Sequence, residues 1–240
     1  SALTRMVERL TPRGPDAAGT WIGPGIGLGH RRLKVIDLVG AAQPMAHEGT
    51  GVHLVYNGEI YNFRELGREL RSLGHPVGLA SDTEVLLYGY LAWGTDVVHR
   101  LNGMFAFAIW DGRERRLLLA RDRMGQKPLY LARIRNGLLF ASELKSICAH
   151  PDFESRVDPD SLRRYLVHEY VPDPHCILEG ASKLEPGHLA VVDPADLQVR
   201  SRAYWDLSFP TADERRRMRF GDAVDELGHR LGRAAERRMV

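Results

Sequence analysis

Between Gly103 and Glu143 the chain reads MFAFAIW, RLLLARD, PLYLARI and LLFASE, four short apolar or alternating runs in succession. Asp111-Gly112, Gly125 to Pro128 and Asn136-Gly137 separate them, and these are residue types that reverse a chain. Such a series predicts an antiparallel meander. Helical patterns lie on both sides of it. Leu3, Met6, Val7 and Leu10 recur at helical spacing until Pro12-Arg13-Gly14-Pro15 breaks the run, and short strands are expected near 18–22 and 26–33. Asn62 stands as a polar cap with Glu65 three residues on, ahead of Phe63, Leu66, Leu70 and Leu73 on one helical face and a stop at Gly74. Asp82 occupies the N-cap position of a helix from Val85 to Trp93. A further helix, capped at Asp158-Pro159, carries Leu162, Tyr165 and Leu166 and ends at Pro172 and Pro174, with more β-like pieces to about Trp205. Helices flanking a β-rich block predict a layered α+β fold rather than an alternating parallel sheet.

Residues 206–219 are polar and charged, after which Val224, Leu227, Leu231 and Ala235 trace a helix with no partner in the remaining sequence. The expected organisation is one domain over 1–207, a linker over 208–219 and the first helix of another domain over 220–240. The 240 residues contain no run near the ~18 consecutive apolar residues of a spanning helix, and SALTRMVERL lacks the apolar centre of a signal peptide, so no membrane partner and a cytoplasmic location are expected. Cys148 and Cys176 form no C-x-x-C pair, which argues against a disulfide framework. Among the apolar neighbours of ELKSICAH, Cys148 reads as a buried structural thiol. The net charge of +2 suggests no polyanionic partner, and ERRRMR at 214–219 has no interleaved aromatic residues, so no nucleic-acid binding is expected.

The stretch VHLVYNGEIYNF, 52–63, is an apolar run ending in Asn57-Gly58, residues that tolerate the positive φ of a tight turn. Only Glu59, Ile60 and Tyr61 separate it from the following helix, too few for a returning strand, so the reading is strand, turn, helix. Familiar catalytic spacings are missing: there is no G-x-x-x-x-G-K-[ST], G-x-S-x-G or H-E-x-x-H, and GPGIGLGH does not complete G-x-G-x-x-G. No H-x-x-x-H pair with a nearby carboxylate occurs among the ten histidines, so no metal site is expected.

RGPD (13–16), GHRRLKVIDL (29–38), NGEIYN (57–62) and SDTE (81–84), followed by LNGMFAFAIWD and LARDRMGQKPLY, resemble the glutamine amidotransferase domain of asparagine synthetase. EYVPDPHCILEGASKLEPGH and AYWDL resemble that domain's end, so the likeness covers nearly the whole chain in order. It implies a class II amidotransferase with the N-terminal nucleophile hydrolase fold, a four-layer sandwich of two stacked antiparallel sheets between helices. The implied chemistry releases ammonia from the glutamine side-chain amide, and a synthetase domain elsewhere in the protein uses that ammonia on an ATP-activated aspartate. The implied partners are therefore glutamine and the protein's own synthetase domain, with a homodimer left open. ATP and Mg belong to that other domain and no cofactor to this chain.

Glutamine is zwitterionic at its backbone end, so its site needs a cation for the α-carboxylate and anions or carbonyls for the α-ammonium. By resemblance Arg32, Glu59 and Asp82 meet these needs, with the carbonyls of Val35 and Ile36 completing the pocket. Charge builds on the amide oxygen at the tetrahedral stage, and by resemblance the Asn57 side-chain amide and the Gly58 N–H are the donors that stabilise it. Each has a plainer alternative: Arg32 as a surface cation like Arg31, Asp82 as only a helix cap, Glu59 as a solvated start of a helix. In the family the nucleophile is the cysteine at the mature N-terminus, whose thiol attacks while its α-amine acts as base. It is expected upstream of Ser1, as an S-G-G-x-D-S pyrophosphate loop is expected beyond AERRMV, so residues 1–240 alone are expected to be inactive. Pro12 stands where most relatives carry His before RGPD, which leaves open another acceptor, such as the one in N-acetylglutaminylglutamine amide synthesis. A protein that begins at Ser1 would instead be a non-catalytic glutamine-binding module.

Overall fold

A computed structural model describes residues 1–33, 42–78, 80–217 and 219–239. The chain divides into two units, Ser1–Tyr204 and Trp205–Val240. The first runs α1 (Ala2–Glu8), β1 (Ala17–Gly23), β2 (Ile26–Arg32), β3 (Met45–His47), β4 (Val52–Ile60), α2 (Phe63–Ser72), α3 (Asp82–Trp93), α4 (Val97–Arg100), β5 (Gly103–Asp111), β6 (Arg116–Arg121), β7 (Tyr130–Ile134), β8 (Gly137–Ala141), α5 (Leu144–Ile147), α6 (Pro159–His168), β9 (Ala181–Lys183), β10 (His188–Val192) and β11 (Val199–Ala203). In the second lie α7 (Ala212–Arg217) and α8 (Phe220–Glu236).

The first unit is built on a six-stranded antiparallel sheet of order β11-β10-β6-β5-β4-β3. Alternation along each strand divides its side chains between two faces. Leu54, Tyr56 and Ile60 of β4 lie across from Ile109, Phe107 and Gly103 of β5, and this face meets α3, to which the Tyr56 hydroxyl bonds. The other face presents Val55, Ala106, Ala108, Trp110, Leu117 and Leu119, which form one core with Leu28 of β2 and Leu131 of β7. A second β layer, made of the pair β1-β2 and the sheet β8-β7-β9, covers that core. Helix α1 closes the outside at Gly29, where a Cβ would overlap Val7 Cγ2, so the glycines of GPGIGLGH let a helix lie directly on a strand. The result is a layered α/β/β/α sandwich, the architecture that the resemblance implies.

Several sequence expectations are corrected. The meander is two hairpins in different layers, β5-β6 in the large sheet and β7-β8 in the small one. Between them the buried Asp122 carboxylate gathers the N–H groups of Phe105, Met124, Gln126 and Lys127 at 2.9–3.2 Å, and Arg121 bonds the carbonyls of Gly125, Lys127 and Leu184, which turns the chain out of the sheet. Asn57-Gly58 is not a turn: β4 runs straight through it to Ile60, opposite Gly103. Asn62 makes no side-chain cap to α2; its amide bonds the Arg100 carbonyl and the Asn102 N–H, both at 2.9 Å, tying the end of β4 to the start of β5. Cys148 is exposed, because its neighbour Ile147 takes the buried position, while Cys176 is buried. Leu166 and Val167 of α6 also face outward.

In the second unit, α7 occupies part of the stretch read as a linker. Thr211 and Glu214 cap it reciprocally, the Thr211 N–H and hydroxyl donating to the Glu214 carboxylate at 2.7 and 2.8 Å and the Glu214 N–H returning to Thr211 Oγ1 at 3.2 Å. The apolar stripe of α8, including Phe220, Val224, Leu227 and Leu231, is exposed. No helix among the described residues is long and apolar enough to cross a membrane.

Candidate functional site

A cavity of about 660 Å³ opens in the first unit between α1, β2, the face of β4 and β5, and β8. Its volume is in the range of small-molecule sites. Arg32, Asn57, Gly58, Glu59 and Asp82 all line it, although they come from β2, β4 and α3. Val35 and Ile36 lie outside the described residues.

Each is placed by local structure. Arg32 ends β2, where RGPD fastens the strand: the Asp16 N–H donates to the Arg32 carbonyl at 3.0 Å, and Arg31 donates from Nε to the Gly14 carbonyl at 2.9 Å. The neighbouring arginines thus differ in role, Arg31 holding backbone. Asn57 and Glu59 alternate with Tyr56 and Ile60 along β4 and so project toward the inner layer. Asn57 Nδ2 is buried without a hydrogen-bond acceptor among the described residues. A buried unpaired donor costs roughly 1–3 kcal/mol, which marks Asn57 as a group folded for something other than stability. The Glu59 carboxylate makes no hydrogen bond or ion pair with a described residue, and Glu59 lines the cavity.

Gly58 follows from the register. Its cross-strand neighbour Phe105 turns both backbone groups toward β6, where its N–H meets the Asp122 carboxylate at 3.2 Å and its carbonyl takes the Asp122 N–H at 2.8 Å. Gly58 is therefore at a position of the ladder that makes no bond to β5, and its N–H points out from the other edge of β4. β3 covers that edge only as far as Leu54. Along it the Tyr56 N–H is taken by Gln43 Oε1 at 2.6 Å and the Ile60 N–H by Asp82 Oδ2 at 3.2 Å. The Gly58 N–H lies between these two. A glycine is needed here for close approach, since a Cβ would overlap Met104 O and stand 2.7 Å from Phe105 Cα.

Asp82 is corrected from its expected place as a cap. Ser81 is the N-cap of α3, accepting the Glu84 N–H at 3.4 Å, and Asp82 is the first helical residue. Its side chain turns inward, 7% exposed, and accepts from the Tyr56 hydroxyl at 2.8 Å as well as from Ile60. Burial raises its pKa, against the lowering effect of those hydrogen bonds, and no described cation pairs with it. Such a carboxylate is suited to a cationic ligand. Glu84, the last residue of SDTE, accepts the Gly78 N–H at 3.0 Å and closes the preceding loop.

The family profile described as "Glutamine amidotransferase domain" matches residues 1–205. The chain belongs to the glutamine amidotransferase domain family. Over 99% of its length this amidotransferase domain is 37% identical to a Bacillus subtilis protein named "Asparagine synthetase [glutamine-hydrolyzing] 3". It is 39% identical over 79% of its length to a "Putative asparagine synthetase [glutamine-hydrolyzing]" of Mycobacterium tuberculosis. It spans 38% and 31% of the length of these curated relatives. Among solved structures, glutamine phosphoribosylpyrophosphate amidotransferase from B. subtilis covers 85% of the chain, and the chain 46% of it, at 19% identity and a TM-score of 0.60, a likeness of fold.

Sequence reasoning missed three residues of this cavity. Tyr56 bonds Asp82, His30 reaches the Tyr56 carbonyl at 3.1 Å through Nε2, and Gln43 takes the Tyr56 N–H. Two signals were available. A tyrosine inside an apolar strand needs a partner for its hydroxyl, and His30, two positions before Arg32 on β2, shares its face. Among the described residues no group of three or more His, Cys, Asp or Glu side chains is placed to hold a metal.

Proposed function

We propose that this domain is the glutaminase portion of a glutamine-dependent, ATP-dependent asparagine synthetase. The observation that carries the reading is the buried Asn57 Nδ2, unpartnered among the described residues, beside the outward Gly58 N–H, on a cavity that Arg32, Glu59 and Asp82 also line, a cation and two anions suited to a free amino acid. Arg32 binds the α-carboxylate, and Asp82 and Glu59 take the α-ammonium. The nucleophile is the thiol of a cysteine upstream of Ser1, on a segment that reaches the cavity between β2 and β8, which are edge strands of the inner layer. Its sulfur bonds the amide carbon while its proton passes to the cysteine's own α-amine, and the carbonyl electron pair moves to oxygen, toward Asn57 and Gly58. When that pair returns, the C–N bond breaks and the α-ammonium gives its proton to the leaving nitrogen as ammonia. Water then cleaves the thioester to glutamate. ATP, Mg and aspartate belong to a synthetase domain outside this chain, which consumes the ammonia.

Neither cysteine of this chain substitutes for the nucleophile, since neither Cys148 nor Cys176 lines the cavity. Residues 1–240 alone are expected to release no ammonia from glutamine. The full-length protein should release it, and replacing the upstream cysteine with alanine should abolish release. Arg32→Ala should raise the glutamine KM by about 10- to 100-fold with kcat largely kept, as loss of a charged hydrogen bond implies. Ammonia production by the cysteine-less variant would refute the assignment. A second reading keeps the glutaminase and changes the acceptor. It is favoured by Pro12 before RGPD and by a relative named "Amidase chry2" of Gibberella zeae, 35% identical over 87% of this chain.

A further inference from the structure

Tyr56, the residue before the proposed oxyanion donor Asn57, is held at every polar group it has, by β2, by α3 and by the loop before β3. Its N–H goes to Gln43 Oε1 at 2.6 Å, its carbonyl receives His30 Nε2 at 3.1 Å, and its hydroxyl donates to Asp82 Oδ2 at 2.8 Å. Among the described residues no strand pairs this part of β4 on that side, since β3 pairs only with Val52–Leu54. An unpaired strand edge is free to twist and fray unless other groups take its hydrogen bonds. Here side chains replace the missing strand at Tyr56 and Ile60 and leave the Gly58 N–H between them.

We propose that His30 and Gln43 are positioning residues of the oxyanion hole, which fix the Tyr56 peptide groups on the free edge of β4 and thereby aim the Asn57 and Gly58 donors. This rests on the glutaminase reading above. The Tyr56 carbonyl belongs to the same peptide plane as the Asn57 nitrogen, so the bond from His30 sets the orientation from which the Asn57 side chain departs. A carbonyl acceptor at Nε2 requires that nitrogen to carry the proton. Burial, with the charge of Arg32 acting the same way, pulls the His30 pKa down to about 4, so the ring stays neutral at working pH with one defined donor. Oxyanion donors act within a few tenths of an ångström, and a misplacement of about 1 Å can cost on the order of 100-fold in rate. Neither residue needs to touch glutamine to matter at this scale.

The test uses the full-length protein, with ammonia release from glutamine as the readout. His30→Leu removes the donor and keeps an apolar volume, whereas His30→Gln retains an N–H near the same carbonyl. Gln43→Met removes the acceptor on the other side of Tyr56. We expect kcat to fall about tenfold or more in His30→Leu and Gln43→Met with the glutamine KM within about threefold, and His30→Gln to recover most of the loss. Thermal melting checks that each variant is folded. If His30→Leu does not fold, Gln43→Met and His30→Gln still carry the test. Wild-type kcat in folded variants, or a raised KM with kcat kept, overturns the positioning role while leaving the glutaminase reading standing. Absence of ammonia release by the wild-type protein would instead remove that reading and this inference together.

Discussion

Asp82 sets function against stability within one side chain. It is 7% exposed, no described cation pairs with it, and burial raises its pKa above 3.8. A raised folded-state pKa means that the folded protein binds more protons than the unfolded chain just above pH 3.8. Stability from this group is thus complete below the unfolded value and lost as pH rises through the folded one. At neutral pH its charge opposes folding. Tyr56 and Ile60 both donate to Oδ2, so Asp82→Asn keeps that acceptor without the charge, and melting at pH 7.5 should hold or rise by a few degrees. The glutamine KM should rise about 10- to 100-fold, since the ammonium loses a charged partner. In the wild type, KM should also climb as acid protonates Asp82, at a pH above that of an ordinary aspartate. A lowered melting temperature with unchanged KM would show that Asp82 is structural alone.

β4 carries both proposed oxyanion donors, and its straightness is what the sequence concealed. Asn57-Gly58 has the composition of a turn, but the glycine serves close strand packing, a tertiary demand that no local pattern displays. Gly58→Ala should therefore destabilise the fold by about 2–4 kcal/mol in urea unfolding, because its Cβ meets the β5 backbone rather than a yielding side chain. Helix existence was readable from apolar spacing in α2, α3 and α6, and the Asp158 cap was found where expected, accepting from Ser161 N–H at 3.1 Å. Caps at Ser81 and Asp82 were confused because Ser and Asp are both good N-caps and only burial separates them. The change of sheet after β6 was hidden for a related reason: it depends on Asp122, a residue with no apolar pattern of its own. Asp122→Ala strips four backbone N–H groups of their acceptor, and a loss of at least about 3 kcal/mol is expected, compared by the same unfolding measurement.

Over the whole chain, the layered α+β architecture could be inferred from the order of helical and β-like stretches. The site could not be derived that way, because Arg32, Asn57 and Asp82 are distant in sequence and meet only when two β layers stack against α3. Their joint mention came from a resemblance in ordered motifs, while His30, Gln43 and Tyr56 became visible only through their hydrogen bonds. At this scale the central claim is that a strand edge and one buried amide form an oxyanion hole in the cavity lined by Arg32, Glu59 and Asp82. Steady-state ammonia release from glutamine by Asn57→Ala in the full-length protein tests it most directly. The account predicts a fall in kcat of about 10²- to 10³-fold, with the glutamine KM nearly unchanged. A wild-type kcat in that variant would contradict it.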